Sequence, residues 1–190
     1  VLVLDGASPT LRDMRFEDIN TSSVLAANLA QPTFIGGEYV AGNDEESGVT
    51  GQAVQIYGGG TPISPMVFQD ATFQSTNKGC GNRDGGRSAI WASQTFIRVQ
   101  NSDFAGGDFG ISIRNSAGKV TNSTISVTCN GIDVNSLKAI GNTEYDVEIS
   151  NNVITTTQRT PITAYSGADV RIHNNELAGA GEGSGIAVYS

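Results

Sequence analysis

Two short hydrophobic motifs alternate along the whole chain, and this alternation constrains the fold more than any other sequence feature. The first motif has two apolar residues separated by four others, often with Asn, Ser or Asp in the middle. It occurs at MRFEDI (14–19), FIGGEY (34–39), FQDATF (68–73), VQNSDF (99–104), VTNSTI (120–125), ISNNVI (149–154) and IHNNEL (172–177). The second has the pattern apolar-x-apolar-x. It occurs at LVLD (2–5), VLAA (24–27), VQIY (54–57), IWAS (90–93), ISIR (111–114), IDVN (132–135), ITAY (162–165) and IAVY (186–189).

Copies of the first motif recur roughly 20 to 34 residues apart, a period typical of solenoids, whose units bury their apolar edges by stacking on neighbours. The units contain short Val/Ile runs between Gly, Asn and Ser, and the chain has 24 glycines with only 16% charged residues. That composition favours short strands and tight turns. The best helical candidate, SSVLAANLA (22–30), is short. The Leu-x-x-Leu-x-Leu consensus of leucine-rich repeats is absent, so the sequence predicts a β-solenoid.

The alternating motifs resemble those of the right-handed parallel β-helix superfamily, the group that contains pectate lyases, polygalacturonases, alginate epimerases and phage tailspikes. The resemblance covers nearly the whole chain and lies in its structural repeat. It implies an all-β, single-stranded right-handed parallel β-helix of about seven coils, formed by residues 1–190 as one domain. Because the segment begins at VLVLDG and ends at GIAVYS, both strand-like, we expect it to be a module of a longer chain.

Asparagines recur at one position of the first motif: Asn101, Asn122, Asn151 and Asn174, with Phe16, Gly36 and Asp70 in the earlier coils. Equivalent residues of successive coils stack ~4.8 Å apart, so these side chains are expected to form an inward asparagine ladder at a corner. Asn also tolerates the left-handed conformation that a sharp corner requires. An inward position would keep Asn122 unglycosylated, although it begins the sequon 122–124. The column is therefore interpreted as structural.

In the second motif the apolar residues point inward, so the alternate residues form two outward columns. One column runs Gln55, Trp91, Ser112, Asp133, Thr163, Ala187, and the other runs Tyr57, Ser93, Arg114, Asn135, Tyr165, Tyr189. Aromatic rings cover the apolar faces of sugars, and amides and charges bond their hydroxyls. The columns therefore predict an exposed carbohydrate-binding strip. Its predicted ligand-binding residues are Tyr57, Trp91, Asn135, Tyr165 and Tyr189, with Arg87 from an insertion. The alternative is that these aromatics simply favour strands.

Three insertions run into the strands of this sheet: GNDEESGVTGQ (42–52), STNKGCGNRDGGRS (75–88) and TTTQRT (155–160). Insertions in solenoids tend to gather on the binding face, so we expect these to form its walls. The basic residues that they bring to the face of Arg114 are Lys78, Arg83, Arg87 and Arg159. This clustering indicates an acidic ligand, such as a uronic-acid polysaccharide. Solvated loop charges are the alternative.

Catalysis on such a face would need carboxylates. An inverting glycosidase places an acid and a base ~6.5–9.5 Å apart. Asp133 is the only acid in the outward columns, and Asp108, one coil away, is its candidate partner. A lyase or epimerase instead needs a base and a cation that neutralises the uronate carboxylate. Arg114, diagonal to Asp133 on the neighbouring coil, suits that role. The predicted catalytic residues are thus Asp133, Arg114 and Asp108.

The resemblance does not extend to the active-site motifs of the enzymes in the superfamily. GGDFGISI (106–113) and NGIDV (130–134) resemble the surroundings of the Gly-His-Gly and Arg-x-Lys motifs of polygalacturonases. However, the His is absent, and Ile132-Asp133-Val134 stands where Arg-Ile-Lys would be. The Asp-Pro-x-x-His signature of alginate epimerases is also missing. A polygalacturonase mechanism is therefore not expected.

Composition excludes several other functions. A net charge of −8 without a basic stripe argues against nucleic-acid binding. No apolar run approaches 18 residues, so no membrane span is expected. No cofactor or metal is expected either, because Ca²⁺ would require converging carboxylates and no such cluster is evident.

The single His173 is predicted to be a surface residue away from the groove. Cys80 and Cys129 are either a disulfide of an extracellular, cell-surface or virion protein, or two thiols.

Three functions stay open from the sequence. The first is a lyase or hydrolase that acts on an acidic polysaccharide. The second is a non-catalytic carbohydrate-binding or tailspike-like adhesion module. The third is a structural spacer within a longer chain. Open β-helix ends carry unpaired strand edges, so association with neighbouring domains or with further copies of the chain is also expected.

Overall fold

The computed structural model describes residues 1–16, 22–41, 43–44, 49–50, 52–75, 80, 88–135, 147–165, 167–179 and 184–189. The described residues form short β-strands, and nearly all of these strands belong to three parallel sheets. We number the sheets in the order in which the chain visits them along each coil. The remaining two strands, β6 (Asn43–Asp44) and β7 (Val49–Thr50), pair with each other as an antiparallel hairpin.

Each sheet takes one strand from each successive coil. Sheet 1 comprises β1 (Leu2–Val3), β3 (Val24–Ala27), β8 (Val54–Tyr57), β11 (Ser88–Ser93), β14 (Phe109–Arg114), β17 (Asn130–Asn135), β20 (Ile162–Ala164) and β23 (Ile186–Val188). Sheet 2 comprises β2 (Thr10–Arg12), β4 (Thr33–Ile35), β9 (Met66–Gln69), β12 (Phe96–Gln100), β15 (Ala117–Thr121), β18 (Val147–Ser150) and β21 (Val170–His173). Sheet 3 comprises β5 (Glu38–Ala41), β10 (Thr72–Ser75), β13 (Asp103–Gly106), β16 (Thr124–Val127), β19 (Val153–Thr156) and β22 (Glu176–Gly179).

This strand order is that of a parallel β-helix, so the predicted fold and the predicted number of about seven coils are confirmed. The second motif of each unit forms sheet 1, and the two halves of the first motif form sheets 2 and 3. Within each of the three sheets, strands of successive coils pair in parallel, as in Ile111↔Ile132 and Val120↔Ile149. The fragment VLAA (24–27) is strand β3 and not part of a helix.

The core is a set of apolar stacks that run along the helix axis. In the early coils the stacks are aromatic: Phe34 lies on Phe68 with ring centroids 4.9 Å apart, and Phe73 lies on Phe104 at 4.5 Å. Later coils continue these stacks with fully buried Val and Ile, and the last coil adds Ile172 and Leu177, which are partly buried. Like residues stack because equivalent positions repeat at the interstrand spacing. The first motif therefore keeps an apolar residue at each end, where it faces the interior.

Two motif assignments near the start of the chain are wrong in register. In the first coil, Leu11 pairs with Phe34, and the ring of Phe16 contacts that of Tyr39, so the motif is LRDMRF (11–16) and not MRFEDI. Asp13, not Phe16, therefore precedes Gly36 in the corner column. In β1, Leu2 pairs with Leu25 on the outer face and Val3 is buried, so the motif begins one residue earlier than LVLD. Both segments contain more apolar residues than one copy of the motif needs, so the pattern allows more than one register.

The asparagine column marks a corner of the coil, as predicted. Its members follow the strands of sheet 2 and adopt positive φ: Asp13, Gly36, Asp70, Asn101, Asn122, Asn151 and Asn174. The prediction that these side chains point inward is wrong, because Asn101, Asn122, Asn151 and Asn174 are all exposed. The left-handed residue turns the chain outward, and the residue after it points into the core. Burial therefore does not protect the Asn122 sequon.

The inward ladder is formed by the residues after this column, namely Ser102, Ser123, Asn152 and Asn175. The side-chain oxygen of each accepts a hydrogen bond from a backbone N–H at the same corner of the preceding coil. Ser102 Oγ accepts from Ala71 N (3.3 Å), Ser123 Oγ from Ser102 N (3.2 Å), Asn152 Oδ1 from Ser123 N (2.9 Å) and Asn175 Oδ1 from Asn152 N (2.9 Å). The ladder thus satisfies backbone donors that the corner leaves outside the sheets.

We predict that the two adjacent asparagines of the ISNNVI copy differ sharply in their contribution to stability. Asn152→Ala should lower the free energy of unfolding by about 2–4 kcal/mol, because it leaves Ser123 N and Val120 O without their side-chain partner in a buried site. Asn151→Gly is the matched control and should change the stability by less than about 0.5 kcal/mol, because glycine accepts positive φ. Urea denaturation followed by circular dichroism measures both. Equal losses in the two variants would contradict the assignment of the ladder.

Candidate functional site on sheet 1

The outer face of sheet 1 has the two columns that the sequence predicts. Register pairs Gln55 with Trp91, Trp91 with Ser112, Ser112 with Asp133 and Asp133 with Thr163. The neighbouring column follows in the same register from Tyr57 through Ser93 and Arg114 to Asn135. Tyr165 and Tyr189 continue it directly after Ala164 and Val188, which pair with each other. The parallel pairing therefore aligns the predicted residues along the axis.

Two pairs of aromatic rings lie at opposite ends of these columns. Tyr57 and Trp91 are diagonal neighbours on β8 and β11, with ring centroids 4.7 Å apart and planes tilted by 51°. Tyr165 and Tyr189 stack at 5.1 Å with an interplanar angle of 19°. Tyr57 is 47% exposed and Tyr189 is 51% exposed, while Trp91 and Tyr165 are half-buried. Five strand spacings separate Tyr57 from Tyr189, a span of about 24 Å.

A hydrogen-bonded polar cluster occupies the centre between the two aromatic pairs. Arg114 donates from Nε to Ser112 Oγ (3.2 Å) and from Nη2 to Asp133 Oδ2 (3.3 Å). The other carboxylate oxygen, Asp133 Oδ1, accepts from Thr163 Oγ1 at 2.7 Å, and Asn130 Nδ2 donates to Thr163 Oγ1 at 2.9 Å. The predicted diagonal contact between Arg114 and Asp133 is therefore present. Asn130 and Thr163 extend it into a network across three strands.

The centre of the face is less open than the sequence suggests. Ser112, Asp133 and Thr163 are all buried although they point outward, and the Asp133 side chain is only 5% exposed. The cause is in part local, because the Arg114 side chain lies across the outer face and contacts both Ser112 and Asp133. Arg114 itself keeps 24% of its side-chain surface exposed. A ligand on this face would therefore meet Arg114 before Asp133.

Burial changes the pKa values of two groups in the site. It raises the pKa of Asp133 above the ordinary value, and the hydrogen bond from Thr163, the charge of Arg114 and the hydrogen bond from Asn130 oppose the shift. Desolvation outweighs them because a buried carboxylate loses its hydration. The pKa of Tyr165 is also raised, first by burial and then by the negative charge of Asp133.

The remaining predicted site residues lie at its margins. Asn135 ends β17 and is half-buried, in register with Arg114. Asp108 is fully buried just before β14, and its backbone carbonyl accepts a hydrogen bond from Cys129 N at 2.8 Å. Asp108 therefore belongs to the corner before sheet 1. Arg87, like Lys78 and Arg83, lies outside the described residues.

A disulfide between Cys80 and Cys129 attaches the second insertion to the body of the solenoid. Of the two states that the sequence left open, the structure has the disulfide. Beside it, Arg159 of the third insertion donates from Nη2 to the backbone oxygen of Cys80 at 2.7 Å. The second and third insertions therefore meet, and Arg159 uses a guanidinium nitrogen to hold them together. That leaves Arg114 as the described arginine on the face itself.

His173 lies on sheet 2, outside the sheet 1 face, in agreement with its predicted position. Its Nε2 contacts Glu148 Oε1 at 3.3 Å, and its side chain is one-third exposed. Among the described residues, no group of three or more His, Cys, Asp or Glu side chains is placed to hold a metal ion. The described part of the chain also has no helix with the length and apolar character needed to cross a membrane.

The chain belongs to the right-handed β-helix family: the family model described as "right handed beta helix region" matches residues 1–190. This match confirms the family that the repeat motifs resemble and the right-handed sense of the fold. No curated protein and no solved structure matches the chain. The family thus defines the architecture, while ligand and activity depend on the chemistry of the sheet 1 face.

Sequence reasoning missed Asn130 and the role of Thr163. Asn130 lies at the start of β17, outside the apolar-x-apolar-x motif that defined the columns, and it reaches the cluster because Thr163 is one coil further along. The signal for it was the run NGIDVN, in which a polar residue comes directly before the Gly that opens the strand. Thr163 was in the column but was not assigned a role, because the sequence does not show that its hydroxyl group lies against Asp133.

The raised pKa of Asp133 predicts a pH dependence of stability. A carboxyl group whose pKa is raised by folding binds its proton more tightly in the folded state. Its contribution is therefore fully present below the ordinary pKa of 3.8 and is lost as the pH rises through the raised value. Asp133→Asn cannot ionise, so its stability relative to the wild type should improve as the pH rises through that range. Denaturation across a pH series measures this, and a relative stability that falls with pH would contradict it.

Loss of the disulfide should lower stability. The bridge joins residues 49 positions apart, so the chain-entropy model predicts a loss of roughly 4 kcal/mol when it is absent, within the usual range of 2–5 kcal/mol. Cys80→Ser is the better variant, because Cys129 is fully buried and Cys80 is not. The wild type treated with reductant is a second, mutation-free measurement. Unchanged melting temperatures in both would show that the bridge does not stabilise the fold.

Proposed function

We propose that sheet 1 binds a polysaccharide chain that lies along the axis of the β-helix. The observation that carries this proposal is the pair of aromatic clusters, Tyr57–Trp91 and Tyr165–Tyr189, at the two ends of one face with a polar cluster between them. Exposed rings spaced along a straight line suit repeated apolar sugar faces, and exposed aromatic surface of this kind marks interaction sites. The polar groups between them supply hydrogen bonds to hydroxyl groups.

The proposed ligand is acidic, with uronic-acid units. Arg114 supports this because it is the cation at the centre of the face and is partly exposed. Its guanidinium group already shares one contact with Asp133, and its remaining donors are suited to a carboxylate on the ligand. We also propose an extracellular, cell-surface or virion location. The disulfide supports that location, because such bonds persist in oxidising compartments.

Binding without catalysis is the form of this function that the geometry favours. The Asp133 carboxylate has hydrogen bonds on both oxygens and little exposed surface. A general base needs access to the proton that it removes. In the described strands of sheet 1, Asp133 is the one acidic residue, so these strands do not supply the second carboxylate that a hydrolase requires. The face therefore has the properties of an adhesion or binding module.

Catalysis by a lyase-like reaction is the second candidate. The observation that favours it is the contact of Arg114 with a carboxyl group whose pKa is raised, since a poised base beside a cation is the arrangement that proton abstraction from a uronate needs. In this candidate Arg114 releases Asp133 Oδ2 to neutralise the substrate carboxylate, and Asp133 accepts the α-proton on that oxygen. The C–H electron pair forms the new double bond, and the glycosidic oxygen on the β carbon leaves with the electrons of its own bond. Asp108 has no role in this candidate.

The test is a panel of uronic-acid and neutral polysaccharides, with binding and unsaturated or reducing-end products measured in parallel. Trp91→Ala and Tyr189→Ala should each weaken binding about 5- to 30-fold, because each removes an aromatic contact at one end of the face. Ile63→Ala is the control, since Ile63 is 97% exposed and lies outside sheet 1. Binding without product supports the adhesion module. Product formation that Asp133→Asn abolishes supports the lyase, and no binding to any polymer rejects the proposed face.

A further inference from the structure

Acidic and basic side chains are segregated among the three sheets. In the strands of sheet 3 they are all acidic: Glu38, Asp103 and Glu176. In the strands of sheet 1 they are the opposed pair Arg114 and Asp133. In the strands of sheet 2 they are mostly basic: Arg12, Arg98, Lys119, Glu148, Arg171 and His173. A chain with 19 acidic and 11 basic formal charges therefore presents one sheet with an excess of cations.

Most of these cations occupy a single column. The parallel register of sheet 2 pairs Arg98 with Lys119, Lys119 with Glu148, and Glu148 with Arg171. Lys119 and Arg171 are exposed, and Arg98 is half-buried. Successive members lie about 4.8 Å apart along the axis. The column therefore forms a straight basic line that crosses four coils, interrupted by one acid. The sequence showed no basic stripe because these residues lie 21 to 29 positions apart and only the strand register aligns them.

Local charge pairing around Glu148 accounts for only part of this line. Like charges directly opposite each other on neighbouring strands destabilise a sheet, and Arg98 and Lys119 are direct cross-strand partners. Glu148 offsets part of the charge, since it accepts from Lys119 Nζ at 2.7 Å and contacts His173. Arg98 makes no ion pair with any described residue. The repulsion at Arg98 and Lys119 would be relieved by an anion bound across the two strands.

The column beside the basic line is polar and neutral for most of its length. It runs Gln69, Gln100, Thr121, Ser150 and ends at His173. Gln100 Nε2 donates to Gln69 Oε1 at 2.9 Å, so the two amides are held in a row. Strand geometry makes this face flat, with hydroxyl and amide groups next to the cations. Such a surface matches a polar, negatively charged polymer better than an apolar partner.

We propose that the outer face of sheet 2 is a second binding surface, for a linear polyanion whose carboxylate or sulfate groups follow the Arg98–Lys119–Arg171 column. The column is straight and repeats at the strand spacing, so an extended polymer can meet successive cations without bending. Glu148 limits the affinity, because it competes for Lys119. This surface is distinct from the sheet 1 face, and its binding depends on charge and not on aromatic contacts.

The acidic sheet 3 of a second copy is the competing partner for this surface. Its acids are not arranged as a matching line, since Thr72, Thr124 and Val153 separate them in their own column. Glu38 is already engaged with Arg15, whose Nε lies 3.1 Å from Glu38 Oε2. The charge pattern of sheet 2 therefore fits a continuous polyanion better than it fits sheet 3.

The experiment measures the retention of the protein on heparin and on polygalacturonate across a salt gradient. Arg98→Gln and Lys119→Gln should each weaken binding about two- to fivefold and reduce its salt dependence, because each removes one cation from the column. Glu148→Gln should act in the opposite sense and tighten binding by a similar factor. Arg15→Gln is the matched control, because it removes an equally charged, exposed residue away from sheet 2. Melting temperatures establish that every variant is folded.

The same measurements in a Trp91→Ala background separate the two faces. If sheet 2 is an independent surface, heparin retention should persist in that background and should still respond to Glu148→Gln. The proposal is overturned if Arg98→Gln and Lys119→Gln behave like Arg15→Gln. It is also overturned if the wild type does not bind either polyanion at low salt, or if the sheet 2 variants change only a salt-sensitive self-association, which would identify a second copy as the partner.

Discussion

The hydrogen bond from a corner N–H of one coil to the side-chain oxygen of the next is the interaction on which this architecture depends. A sharp corner removes backbone donors from the sheets, and a buried donor without a partner costs about 1–3 kcal/mol. Ser102, Ser123, Asn152 and Asn175 supply the missing acceptors. With the corner satisfied in this way, the strands on either side stay in register, and the columns on the outer faces follow. The register that brings Arg114 beside Asp133 therefore depends in part on these corner hydrogen bonds.

The sequence predicts the fold well because a solenoid repeats its local rules. Each coil offers another copy of the same apolar spacing, so the ambiguity of one copy is resolved by its neighbours. The first coil shows the limit, since Met14, Phe16 and Ile19 allow a motif three residues away from the correct one, and only the pairing of Leu11 with Phe34 decides the register. The sequence pattern also could not predict that the asparagine side chains point outward, because positive φ reverses the inward–outward alternation of a strand.

The sequence predicts which residues form the two outward columns of the site, but not how these residues are arranged in depth. Strand alternation assigns Trp91, Arg114, Asp133 and Tyr165 to one face, and the contact between Arg114 and Asp133 follows from their diagonal position. Strand alternation does not predict how deeply each side chain is buried. Asp133 is buried because Arg114, Thr163 and Asn130 converge on it, and that convergence depends on rotamers and on the coil before and after. The two candidate functions differ in whether Asp133 is an exposed base or an enclosed carboxyl group, and the sequence does not show which it is.

The disulfide has a mechanical consequence. In a solenoid each coil contacts only its neighbours, so pulling on the two ends would be expected to peel coils away one at a time. Cys80 lies before β11 and Cys129 lies before β17, so the strands from β11 to β16 are enclosed in a covalent loop. Tension applied along the chain would pass through the bridge and bypass these two coils. A module that holds a polymer under flow or shear would keep the middle of its binding faces intact while its outer coils yield.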